Sequence, residues 1–160
     1  MAEEGELVAL RLARGCRCFG AWSGGLVAYG WLSTGPEWIG ELGLEIRPAP
    51  GEAYLWNCVT LPEHRRQGLF RGLLRCLVAK VASEGFTRLW IGSVADFADR
   101  AVADAGFRPV LQFEARSFAG WGRLRVRGAV GADPADVEAA LAALRVRPGA
   151  RMYRVKTRSH

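Results

Sequence analysis

Eight residues, Leu61-Pro62-Glu63-His64-Arg65-Arg66-Gln67-Gly68, stand between an apolar strand-like run and an amphipathic helical run, and their types suit an anion. A loop that ends in glycine at a helix start leaves several backbone N–H groups unpaired, and the helix dipole adds partial positive charge there. Arg65, Arg66 and Arg71 bring full charges close by, while Gly68 and Gly72 let the backbone approach a bulky group. The combination would seat an anion the size of a diphosphate. It is not a P-loop, since no Gly-Lys-Ser/Thr follows the glycine, and it lacks the Gly-x-Gly-x-x-Gly of dinucleotide folds. An ordinary strand–helix loop with a glycine and some arginines is the competing reading.

The elements around this loop follow from periodicity. Residues 3–14 read as a short helix, acids first and arginines last, with Gly15 as a left-handed stop. Runs 16–22 and 26–33 read as strands joined by Ser23-Gly24-Gly25, a hairpin signal. Residues 41–47 alternate, with Leu42, Leu44 and Ile46 on one side, and a fourth strand is expected over 53–60. From Leu69 to Glu84 the apolar stripe is helical, closed by Gly85. A strand over 87–93 and a helix over 96–105, capped by Asp96 and stopped by Gly106, come next. Strands are expected over 107–118 and 121–127, a helix from Asp133-Pro134 to about Leu144, and an edge strand over 151–156. Strand, helix, strand in 53–93 makes one parallel, right-handed crossover, whereas the hairpin-joined strands are antiparallel. The fold class is therefore α/β with a mixed α+β sheet, in one domain of 160 residues.

Composition narrows the partners. The net charge is +6, from 22 basic and 16 acidic residues, which favours an anionic partner: nucleic acid, a membrane surface or a phosphate-bearing cofactor. The basic residues concentrate at Arg65, Arg66, Arg71 and Arg75 and again in the tail 145–160, which reads as a solvated end. Cys16, Cys18, Cys58 and Cys76 have no zinc-type spacing and read as small apolar residues, so no metal is expected. No apolar run reaches the length of a membrane span, and the first residues carry acids where a secretory leader would be basic. A cytoplasmic protein is the expectation.

Two motifs carry a resemblance. VTLPEHRRQGLFRGLL (59–74) and DAGFRPV (104–110), with a helix, a strand and a helix between their cores, resemble the GNAT N-acetyltransferase superfamily. Arg65-Arg66-Gln67-Gly68-Leu69-Phe70 is similar to its Arg/Gln-x-x-Gly-x-Gly/Ala signature, with Phe70 departing at the last small position. The resemblance implies a GNAT-like acyl-CoA N-acyltransferase fold over a core of 16–118, shortened at the N-terminus and extended over 119–160. It implies acetyl-CoA as cosubstrate, with the pantetheine arm along Cys58, Val59 and Thr60. The pyrophosphate would lie on the backbone of Arg66, Gln67, Gly68, Leu69, Phe70, Arg71 and Gly72, with Arg65 beside it. It also implies a primary amine of a small molecule or peptide as acceptor. A partner subunit, as in a homodimer, or the C-terminal extension would complete the pocket that the short N-terminus leaves open.

The family's usual proton carriers are missing. Where many members have a tyrosine, five residues before the Phe of Gly-Phe, this chain has Val102, and the frequent asparagine falls near Ala95. Ribosomal alanine acetyltransferases place a glutamate where Trp90 stands. Substitutes must come from elsewhere. Tyr54, Trp56, Cys58 and Thr60 share one face of their strand, with Asn57 on the other. Tyr54 could protonate a leaving thiolate, while Glu52, Glu45 or Glu41 could accept an amine proton. The acidic, aromatic stretch 34–52 would suit a cationic acceptor, though a solvated hairpin explains it equally well. His64 sits in the phosphate loop and is expected to face solvent. The missing tyrosine and asparagine also motivate a second reading, an acetyl-CoA sensor with little turnover. Nucleic-acid binding is disfavoured because no surface pattern interleaves aromatic and basic residues.

Overall fold

The stripe formed by Leu73, Leu74, Leu77 and Val81 gives one helix an apolar side, and the sheet it covers organises most of the chain. The computed structural model describes residues 2–40, 42–93, 96–118 and 121–154. In chain order the elements are α1 (Ala2–Ala13), β1 (Arg17–Trp22), β2 (Leu26–Ser33), β3 (Glu37–Ile39), β4 (Leu44–Ile46) and β5 (Glu52–Thr60). They continue with α2 (Leu69–Ser83), β6 (Arg88–Ile91), α3 (Asp96–Asp104), β7 (Leu111–Phe118), β8 (Trp121–Gly128), α4 (Pro134–Leu144) and β9 (Gly149–Arg154). Two compact units result, one from residues 1–35 and 48–107, the other from 36–47 and 108–160.

The first unit holds a four-stranded sheet in the order β1-β2-β5-β6. Its pairs β1/β2 and β2/β5 are antiparallel, and β5/β6 is parallel, so the crossover anticipated from 53–93 is present. Ala28, Leu32, Ala53 and Leu55 pack with Leu73, Leu74, Leu77 and Val81, and Val102, Ala105 and Phe107 close the cluster. Gly85 and Gly106, both at positive φ, stop the two helices as expected.

The second unit has a hairpin, β3/β4, and a three-stranded antiparallel sheet, β7-β8-β9. Leu124 and Val126 alternate inward on β8, while Trp121, Arg123, Arg125 and Arg127 alternate outward. Leu44, Ile46, Ala140, Ala143 and Leu144 are also buried, and the Arg47 N–H donates to the Ala143 carbonyl at 2.7 Å. The Asp133 side chain accepts from the Ala135 N–H at 2.8 Å, the cap that Asp133-Pro134 announces. Two expectations change here. The strand expected over 41–47 shrinks to Leu44–Ile46, because Gly40, Leu42 and Gly43 turn, with Leu42 N donating to Ile39 O and Gly43 at φ 60°. Residues 107–110 are not strand: Phe107 N donates back to Val102 O and its ring packs on the core of the first unit. Asp96 as an N-cap rests on a side chain outside the description.

A carboxylate fixes the lower end of the parallel pair. Glu52 is 6% exposed, yet it receives Arg88 Nη1 at 2.5 Å, Trp90 Nε1 at 2.8 Å and the Ala49 N–H at 3.1 Å. Burial alone would raise its pKa; the hydrogen bonds from Trp90 and Arg88 outweigh that and hold it below the ordinary 4.5. A depressed carboxylate stabilises the fold above its unfolded pKa, and that contribution is lost as pH falls through the folded value. Glu52→Gln is expected to cost about 1–3 kcal/mol at neutral pH by removing the charge that the Arg88 Nη1 bond is made to. It should also flatten the loss of stability below pH 4.5, read from urea midpoints across acid pH. Leu74→Ala, at the centre of the core, should lower urea stability by about 2–5 kcal/mol without changing the denaturant slope.

Candidate functional site

Strand β6 stops before β5 does. The parallel ladder runs Glu52↔Arg88, Ala53↔Leu89, Tyr54↔Trp90 and Leu55↔Ile91, and no further. Beyond Leu55, β5 continues to Thr60 against β2 alone, with Trp31↔Trp56, Tyr29↔Val59 and Ala28↔Thr60. Between Tyr29 and Trp31 the register shifts, and opposite that break Asn57 takes φ 46°. Asparagine tolerates the left-handed region better than most residues, and one extra residue makes a bulge. Among the described residues, the β6-facing edge of β5 from Asn57 to Thr60 has no strand partner. A gap opens there.

The bulge corrects the expected alternation. Tyr54, Trp56, Cys58 and Thr60 do not share a face. Cys58 packs with the α2 core, and its sulfur lies 3.0 Å from where a Cβ on Gly30 would be, beside Leu55 and Leu73. Thr60, opposite Ala28, lies on that side too, because directly paired residues share a face. Tyr54 and Trp56 stay on the opposite face, out of step with the core residues Ala53 and Leu55. Tyr54 is 7% exposed, and its hydroxyl lies 3.7 Å from where a Cβ on Gly92 would stand, just past the end of β6. Burial pushes the Cys58 thiol up to about 12.

The loop after β5 begins with a 3-10 turn, Pro62–His64. Arg65 Nε donates to the Thr60 carbonyl at 3.1 Å and Gln67 Nε2 to the Glu63 carbonyl at 3.3 Å. Arg66 and Gly68 are both left-handed, at φ 62° and 78°. The first bond of the α2 ladder runs from Gly72 N to Gly68 O at 2.9 Å, so the amides of residues 68–71 stand ahead of it. A Cβ on Gly68 would meet the Arg71 guanidinium at 3.6 Å, while one on Gly72 would meet nothing within 4 Å. Arg71 Nη1 reaches Asp104 Oδ2 at 3.4 Å, and Arg75 donates to the Asp104 carbonyl at 3.1 and 3.3 Å. Leu69 and Phe70 pack inward and anchor the turn. Amides, helix dipole and arginines together make a donor set that fits a diphosphate.

The other residues singled out in the sequence are dispersed. Glu52 lies at the end of β5 away from the gap, with its carboxylate engaged by Arg88 and Trp90 rather than free to take a proton. Glu45 belongs to β4 in the second unit and is ion-paired with Arg47. Glu41 and Ala95 lie outside the described residues. Val102 packs against the core of the first unit, as an aliphatic side chain should. All four cysteines are free thiols, and among the described residues no three His, Cys, Asp or Glu side chains converge as metal ligands. Nor is any described helix long and apolar enough to cross a membrane.

Sequence reasoning missed Arg11. Its guanidinium lies 4.4 Å from the Trp56 ring centroid and 5.0 Å from that of Trp31, and the two rings are 6.5 Å apart. The Asn57 side-chain carbonyl accepts from Arg11 Nη1 at 2.9 Å and Nη2 at 3.3 Å. Each cation–π contact of this kind contributes about 0.5–2 kcal/mol. An asparagine inside an otherwise apolar strand was the one available hint, because strands disfavour it.

The fold has solved counterparts. A candidate acetyltransferase from Agrobacterium tumefaciens superposes with a TM-score of 0.52 at 21% identity, covering 72% of this chain and 76% of its own. A second candidate acetyltransferase gives 0.51 at 18% identity, with 71% and 74% covered. A Bacillus subtilis acetyltransferase in complex with CoA gives 0.49 at 17%, with 69% and 62% covered. No curated protein sequence matches the chain. The profile of the acetyltransferase (GNAT) family matches residues 3–107, well over half of the chain and all of the gap and loop just described. The chain belongs to the GNAT acetyltransferase family, and acetyl-CoA is the donor for its N-acetylation.

Proposed function

We propose that the protein transfers an acetyl group from acetyl-CoA directly to a primary amine of a small molecule or peptide, using the gap between β5 and β6. The observation that carries this reading is the edge of β5 from Asn57 to Thr60, which has no strand partner among the described residues and leads into the amides that open α2. The edge at Cys58, Val59 and Thr60 would hold the pantetheine amides as an added strand does, and a β5 N–H would polarise the thioester carbonyl. The amides of Gly68, Leu69, Phe70 and Arg71, with Arg65, Arg66, Gln67 and Gly72 around them, would receive the diphosphate.

When bound, acetyl-CoA supplies an activated acyl carbon. The neutral amine forms the new C–N bond as the C–S bond breaks; the amine loses a proton to solvent and the leaving thiolate needs one. Tyr54 is the group we assign to that thiolate, since its hydroxyl reaches past the end of β6 beside Gly92. Cys58 is no alternative acyl carrier: with a pKa of about 12 its thiol stays protonated at neutral pH, which supports direct transfer. The free thiols suit a reducing cell interior, and we place the protein in the cytoplasm.

CoA should protect the folded protein against heat, and CoA thiol should be released when a suitable primary amine is supplied with acetyl-CoA. Protection without release for every amine tested would favour the sensor reading. Gly68→Asp should abolish the protection, because a carboxylate would project into the anion seat and a side chain would strain φ 78°. Wild-type affinity in that variant, measured by calorimetry, would remove the seat. Tyr54→Phe should lower kcat by about 100-fold with little change in KM for acetyl-CoA. Unchanged turnover would release Tyr54 from the proton step.

A further inference from the structure

Helix α1 is held in an unusual way for an amphipathic segment. Leu7, Val8, Leu10 and Leu12 are all exposed, and Arg11 alone among residues 5–13 is half-buried. What ties the helix to the sheet is thus a cation laid on two indoles and capped by a carbonyl, rather than a buried leucine stripe. The indoles belong to Trp31 and Trp56, a cross-strand pair on the face opposite α2, and the carbonyl to Asn57 at the bulge. Trp56 and Asn57 are the first two residues of β5 beyond its last pairing with β6. The Trp56 indole N–H is buried there and donates to no described residue. Two aromatic faces and a carbonyl acceptor therefore hold a cation beside the first residues of β5 beyond its pairing with β6.

We propose that Trp31, Trp56 and Asn57 form a cation subsite for the acceptor, and that Arg11 fills it until an acceptor displaces the side chain. The proposal rests on the transfer reading above, and it narrows the acceptor to amines bearing a second, permanently charged group such as guanidinium. A reacting amine must be neutral to attack, so the charge that the indoles recognise has to sit elsewhere on the molecule. The spare indole N–H would donate to an oxygen or neutral nitrogen on the acceptor's chain. Leaving costs α1 little apolar burial, which is what a displaceable plug requires. A tethered competitor acts at an effective concentration on the order of millimolar, so the free protein should hold the subsite closed to dilute cations.

Agmatine, a primary amine with a guanidinium, and pentylamine, which has the amine but no second charged group, separate the outcomes. In Arg11→Ala, agmatine should quench tryptophan fluorescence saturably at a concentration at least about 10-fold lower than in the wild type. The quench should vanish in Arg11→Ala combined with Trp56→Leu. In thiol release, KM for agmatine should lie at least about 10-fold below that for pentylamine, and Trp56→Leu should bring the two together. Should Arg11→Ala fail to fold, hydrogen exchange in the wild type decides: millimolar agmatine should speed exchange of the amides of residues 5–13. Equal KM values, no saturable quench and unchanged exchange would make Arg11 a structural pin and overturn the subsite. Loss of CoA protection in the wild type would sink the transfer reading instead, while the fluorescence arm would still report on the cation subsite.

Discussion

Four residue pairs hold β5 to β6, and the gap beside β5 exists because the pairing stops there. A full-length parallel ladder would satisfy the β5 backbone as far as Thr60 and leave nothing for a pantetheine chain to bond. Two features set the limit. Glu52 binds Arg88 and Trp90 at the lower end, fixing the register, and the left-handed Asn57 breaks the regular strand two residues beyond the last pair. Backbone groups on a strand edge must find partners, and an edge left open beside a helix N-terminus would suit an extended, amide-rich ligand with a phosphate end. The packing of α2 on Leu55 and Leu32 keeps that helix start where the strand delivers the chain.

Much of this was legible before any coordinates. The 3.6-residue stripe of α2, the glycine stops at Gly85 and Gly106, and the loop chemistry of Arg65 to Gly68 are local signals, and local signals survive folding. The strand over 41–47 was misjudged because alternation alone does not weigh the turn that Gly40 and Gly43 allow. The setting of Glu52 was hidden for a different reason. A carboxylate at a strand start gives no sign in sequence of an arginine 36 positions away, and that partner converts a possible base into a clamp. The bulge was the costliest omission. One residue with positive φ moved Cys58 and Thr60 to the other face, and a period-2 pattern has no means of announcing it.

Arg11 illustrates a related limit. Cation–π contacts have no spacing rule in sequence: Arg11, Trp31 and Trp56 come from three elements and meet because β2 and β5 pair in one register. That meeting also explains how a helix with exposed leucines keeps a defined place. Charge on aromatic faces substitutes for apolar burial, and such contacts are directional where hydrophobic ones are not.

The arginines of α2 carry one more implication. Arg71 and Arg75 both reach back to Asp104 at the end of α3, so the positive charge that would meet phosphate is already tethered to an acid. A diphosphate arriving at α2 would compete with Asp104 for Arg71, and slackening that tether would loosen the close of α3 just before Gly106. Occupancy of the nucleotide end would then be felt at Ala105 and Phe107, which pack on the core of the first unit. The start of α2 and the close of α3 meet at Asp104, whose side chain holds Arg71 and whose carbonyl holds Arg75.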